Sequence, residues 1–109
     1  MSSATPESST EAPNSRFVGE WAITWLDNQT VNALTLAIEG ERLVGRYVSD
    51  DGEVCPVRAG VSSSGAAIHI TVACVNWEIL MDGSPTDGDR VEGEFLAYGH
   101  SRGRFTMER

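Results

Sequence analysis

The sequence predicts an all-β domain: an eight-stranded up-and-down antiparallel β-barrel over residues 17–109, preceded by a flexible tail over residues 1–16. Two observations carry the prediction. Apolar and polar residues alternate with period two along eight short segments, and the turn residues between them are spaced so that inward positions meet inward positions. A third observation separates a barrel from the runner-up, a two-sheet sandwich. Gly45, Gly93 and Gly103 fall on the inner face, where sharp strand coiling needs positions without a side chain.

The tail, Met1 to Arg16, is rich in Ser, Thr, Pro and Glu and holds almost nothing that could be buried. The first strand follows, with Phe17, Gly19, Trp21, Ile23 and Trp25 on one face and a turn at 27–30. Residues 32–49 then form a hairpin. A two-residue loop at Gly40-Glu41, with Gly first as a type II′ turn wants, sets Ile38 against Leu43, Leu36 against Gly45, Leu34 against Tyr47 and Asn32 against Ser49. One face is therefore apolar at the Gly40 end and grades into polar groups at the other.

Asp50-Asp51-Gly52 is a three-residue loop with Gly where a left-handed conformation is needed, and it pairs Tyr47 with Cys55 and Gly45 with Val57. A loop at Ser64-Gly65 sets Val61 against Ile68, Val57 against Val72 and Cys55 against Cys74. Trp77, Ile79 and Met81 make the inner face of a sixth strand, which a run of turn residues from Gly83 to Asp89 ends. Val91, Gly93, Phe95 and Ala97 are the seventh, and after a turn at Gly99 to Ser101 the eighth carries Gly103, Phe105 and Met107 inward.

Charge excludes several functions. Eight Arg and no Lys stand against sixteen acidic residues, a net charge of −8, which opposes binding to phosphate backbones and anionic membranes. Nucleic acid and membrane are therefore not expected partners, and the absence of Lys removes Schiff-base chemistry. No basic start followed by an apolar run reads as a secretory signal, so the expected compartment is the cytoplasm, or the periplasm or exterior if a signal was removed before this numbering. Metal is not expected: His69 points outward and His100 lies in a loop, neither at metal-site spacing. Arg42, Arg46, Arg58, Arg102 and Arg104 are outward or at turns, where an acidic sheet offers cross-strand partners.

Gly19-Glu20-Trp21 on the first strand and Leu43-Val44-Gly45-Arg46-Tyr47-Val48-Ser49 on the third resemble the calycin group, the lipocalin-like and avidin-like barrels. The segment Gly45-x-Tyr47-x-Ser49 is similar to the avidin pattern, and the resemblance implies that Tyr47 and Ser49 hydrogen-bond a biotin-like head group. Ile23 stands where that pattern has Asn, and no Thr-x-Trp-x-Gly segment follows in the second half. The layout also resembles a small bacterial barrel module with Gly-x-Trp first and Gly-x-Phe last, here Gly93-Glu94-Phe95 and Gly103-Arg104-Phe105.

In an up-and-down barrel, alternate loops share one end, which brings together those at 27–30, 50–52, 75–76 and 99–101. The inner residues nearest that end include Trp25, Tyr47 and Trp77 as aromatic walls and Asn32 and Ser49 as polar anchors, the mixture expected of a small-molecule pocket. The competing expectation is a barrel filled by its own side chains. Cys55 and Cys74 face each other and admit a cross-strand disulfide or, in a reducing compartment, two buried thiols.

The leading expectation is a non-catalytic binding module for a small, mostly apolar ligand, without a cofactor. Two alternatives stand beside it. One is a barrel cyclase or isomerase resembling allene-oxide-cyclase-like and Diels-Alderase barrels, with Tyr47 as the one proton donor of the inner face; the other is a filled structural barrel that uses its outer sheet to form a homodimer.

Overall fold

The computed structural model describes residues 13–109. It is a closed antiparallel barrel of eight strands in sequence order, β1 Gly19–Trp25, β2 Thr30–Glu39, β3 Arg42–Val48, β4 Val54–Val61, β5 Ile68–Ala73, β6 Glu78–Asp87, β7 Arg90–Ala97 and β8 Ser101–Glu108. Strand β1 pairs with β2 on one side and with β8 on the other, which closes the barrel. No described helix is long and apolar enough to cross a membrane.

The register follows the turn chemistry. Leu34, Leu36 and Ile38 lie opposite Tyr47, Gly45 and Leu43, while Tyr47 and Gly45 lie opposite Cys55 and Val57. Val57, Ala59 and Val61 oppose Val72, Ile70 and Ile68. Gly40, Gly52 and Gly65 all have positive φ, as these tight connections require. Because side chains alternate between faces, this register sends Ile23, Leu34, Val57, Ile70, Met81 and Met107 into one core, each at most 2% exposed.

Closing so few strands over large side chains forces neighbouring backbones close together. A β-carbon at Gly45 would fall 1.7 Å from the Thr35 carbonyl oxygen, and one at Gly93 would fall 1.9 Å from that of Asp82. Only glycine fits there, which ties the inner-face glycines to strand coiling.

The barrel is plugged at the end where β2–β3, β4–β5 and β6–β7 turn. A short 3-10 turn, Pro13–Phe17, lays Phe17 into the core at 1% exposure, and the Phe17 carbonyl accepts a 2.9 Å hydrogen bond from the Trp21 indole N–H. Arg109 closes over this plug. Its guanidinium sits 4.2 Å from the centroid of a Trp21 ring and donates to the carbonyls of Val18, Arg16 and Gly88. The turn at Pro13–Phe17 lies ahead of the Phe17 start expected for the domain, and residues 1–12 of the expected tail lie outside the described residues.

Two turns differ from expectation. Residues 83–89, expected as a long turn, contain the continuation of β6 to Asp87, with a tight connection only at Gly88-Asp89. Strand β5 begins at Ile68, which lies opposite Gly83, so residues beyond Gly83 pair only with β7. Pro85 is tolerated on that one-sided ribbon, next to an irregularity in register between Pro85 and Asp87. The β7–β8 turn is centred on Tyr98-Gly99 rather than Gly99 to Ser101, with the His100 N–H donating to the Ala97 carbonyl. The outward arginines expected to pair across strands form no ion pair among the described residues; Arg90 bridges Glu92 and Glu108, and Arg109 meets Asp89.

Candidate functional site

At the end opposite the plug, the β1–β2, β3–β4, β5–β6 and β7–β8 connections surround an open cavity of about 370 Å³. Trp25, Asn32, Tyr47, Ser49 and Trp77, the five residues singled out by the sequence, all line it. The aromatic rings meet nearly at right angles. Trp25 and Tyr47 have centroids 6.3 Å apart at 70°, Tyr47 and Trp77 6.3 Å at 83°, and Trp25 and Phe95 4.9 Å at 75°. Such edge-to-face contacts are favourable in their own right and hold the walls rigid.

The polar residues divide into those already engaged and those with capacity left. Asn32 is 8% exposed, and its amide is a brace: Oδ1 accepts from the Trp25 indole at 2.7 Å, while Nδ2 donates to the Val48 carbonyl at 3.1 Å and to an Asp50 carboxylate oxygen at 2.8 Å. One side chain thereby fixes both a wall and an acid of the mouth. Ser49 locks the β3–β4 loop, its hydroxyl donating to Asp51 and accepting the Glu53 N–H. Those two bonds to Asp51, from the Ser49 hydroxyl and the Glu53 N–H, hold its carboxyl below the usual carboxylate range.

Tyr47 is different. Its side chain is 4% exposed, and burial pushes its pKa up to about 12, against a smaller opposing effect of hydrogen bonding from Trp25. The phenol is therefore neutral under ordinary conditions, and its hydroxyl donates no hydrogen bond to a described residue. It is a buried donor on a residue that lines the cavity.

Phe95 and Tyr98 also line the mouth and were not among the residues expected there, while Asp27 lines it from the 27–30 turn that was expected at this end. The 26–29 turn is held by the Gln29 N–H donating to the Trp25 carbonyl and by Asn28 Oδ1 accepting the Thr30 N–H. It delivers the Asp27 carboxylate over β8, where a β-carbon at Gly103 would come within 2.5 Å of a carboxylate oxygen. A glycine on an inner face opposite Phe95 was the one sequence signal that something else occupies that space. Tyr98 adopts φ 57°, left-handed for a residue with a β-carbon, and its ring centroid lies 5.6 Å from that of Trp77.

Cys55 on β4 and Cys74, just past the end of β5, are joined by a disulfide with α-carbons 4.8 Å apart. They lie with Glu53 as a close group of potential metal ligands, but sulfurs joined to each other offer no thiolate.

The fold and the site define a class: a small closed barrel, plugged at one end and open at the other into a cavity of aromatic walls. Among solved structures, the chain is similar to a redesigned β-barrel, with a TM-score of 0.66 over 90% of this chain and 95% of that one. The two sequences share 11% identity, so the likeness is one of fold. No protein-family model matches the sequence, and no curated protein matches it.

Proposed function

We propose that this barrel is a non-catalytic binding module that takes a small, mostly apolar molecule into its open end. The observation that carries the reading is the asymmetry of the barrel interior. Phe17, Trp21 and the aliphatic core fill one end, while at the other the same inward face leaves about 370 Å³ between Trp25, Tyr47 and Trp77. That volume lies within the range of small-molecule sites, and side chains large enough to fill it are held back by mutual edge-to-face packing.

The arrangement also supports the calycin-like reading, in which ligand enters at one mouth of an up-and-down barrel. The biotin-type anchors are weakened, since Ser49 is committed to its own loop and only Tyr47 keeps a free donor. A ligand would be held by ring contacts first and by one phenolic hydrogen bond second.

Two of the chain's three tryptophans line the cavity, so intrinsic fluorescence reports occupancy directly. Saturable changes in emission, matched by a raised melting temperature, are expected for some members of a broad screen of compact hydrophobic and biotin-like compounds. A screen in which no compound shifts either quantity sinks the binding reading.

A further inference from the structure

The mouth combines two features that a purely apolar ligand does not need. The first is its electrostatics. Asp27, Asp50 and Asp51 stand at its edge, and no Arg or His is among the residues lining it. The Asp27 carboxylate is swung inward over Gly103 and takes no hydrogen bond from a described residue. The Asp50 carboxylate is held in place by the Asn32 amide through one oxygen, which leaves the other available.

The second feature is the ring geometry. Trp25, Tyr47 and Trp77 turn successive planes by 70° and 83°, Phe95 stands against Trp25 at 75°, and Tyr98 extends the wall outward from Trp77. Aromatic rings gathered on several sides of one space are the kind of lining that attracts an ammonium group. Carboxylates at the edge add to that attraction in a partly enclosed site, where charge is less screened than in bulk water. The net charge of −8 steers cations toward the molecule as a whole.

We infer that the ligand class is an organic cation, an alkylated or primary ammonium head on a compact apolar body, with the head caged by Trp25, Tyr47 and Trp77 and neutralised by Asp27 and Asp50. This inference rests on the binding reading above and adds the sign of the charge. The Tyr47 hydroxyl, on a residue lining the same space, would orient such a molecule through an oxygen of its body.

The test compares three probes of matched size by calorimetry and tryptophan quenching: choline phenyl ether, its neutral isostere dimethylbutyl phenyl ether, and the anion hydrocinnamate. The cation is expected to bind about tenfold tighter than the neutral isostere, the scale of cation–π and carboxylate attraction in a half-enclosed site. Hydrocinnamate is expected to bind weakest. Asp27→Asn, on an exposed turn, is expected to weaken the cation about fivefold and leave the neutral probe unchanged, with added salt acting in the same selective way. Equal or tighter binding of the neutral isostere, or equal loss for both probes in the Asp27 variant, overturns this inference and leaves the wider binding reading standing. Binding of none of the three, together with a negative broad screen, sinks both.

Discussion

Replacing Tyr98 by Asn separates what the β7–β8 turn needs from what the mouth needs. Tyr98 and Gly99 have φ 57° and 76°, a type I′ pattern in which the first central position favours Asn or Gly. A side chain with a β-carbon held in the left-handed region costs about 1 kcal/mol, and Asn pays least because its short amide bonds locally. Against that gain, the substitution removes the Tyr98–Trp77 ring contact, with centroids 5.6 Å apart. At a side chain 58% exposed, this contact sits at the low end of such pairs, about 0.5 kcal/mol. The variant is expected to be stabilised by roughly 0.5 kcal/mol, a rise of about 3 °C in Tm. The same variant is expected to bind the ammonium probe several-fold more weakly. Thermal and denaturant unfolding measured beside a fluorescence titration give both quantities on one preparation. A loss of more than about 1 kcal/mol of stability, beyond the scatter of surface substitutions, would show that Tyr98 is held by packing and refute the reasoning.

Other expectations follow from features deeper in the barrel. Cys55→Ser with Cys74→Ser opens a link across a sequence separation of 19 and is expected to cost about 3 kcal/mol, read from denaturant midpoints against the oxidised protein. Gly45→Ala, whose β-carbon would meet the Thr35 carbonyl at 1.7 Å, is expected to lose about 3 kcal/mol, while Gly60→Ala, with open space around it, stays within about 0.5 kcal/mol by the same measurement. Arg109→Ala removes a ring contact and several carbonyl hydrogen bonds, and circular dichroism melts are expected to show a loss of about 2 kcal/mol. Because the folded phenol of Tyr47 holds its proton to about 12 while an unfolded one releases it near 10, stability is unaffected at lower pH and falls by about 2 kcal/mol as pH rises through that window. Tyr47→Phe is expected to flatten that part of the stability curve.

The register was legible where turn residues and inner-face positions agreed, at the β2–β3, β3–β4 and β4–β5 hairpins. Gly40, Gly52 and Gly65 set the pairing that brings Trp25, Tyr47 and Trp77 around one space. What escaped the sequence depends on context that period-two patterning does not encode. Gly83 to Asp89 carries turn-forming residues, yet β6 continues because β7 offers a partner beyond the reach of β5. Asn32 and Ser49 have the chemistry of ligand anchors, but rotamers and neighbours turn Asn32 into a brace for Trp25 and Ser49 into a loop lock. An acid in a turn, such as Asp27, reads as solvated until the glycine beneath it is known to lie across the barrel. The conformation of Tyr98 is a property of the turn as folded, and no residue pattern announced a bulky ring at a position that suits Asn.

The seam that closes the barrel is its shortest join. Strand β1 meets β2 along its whole length, from Gly19 opposite Leu36 to Trp25 opposite Thr30, but meets β8 only from Ala22 opposite Glu108 to Trp25 opposite Phe105. Where that ladder gives out, Arg109 takes over with bonds to the Val18 and Arg16 carbonyls. If this latch released, two strand edges would be laid bare at once, each a template for pairing with another chain. Protection of these two edges is therefore shared between a four-residue ladder and one side chain at the closed end, remote from the ligand mouth.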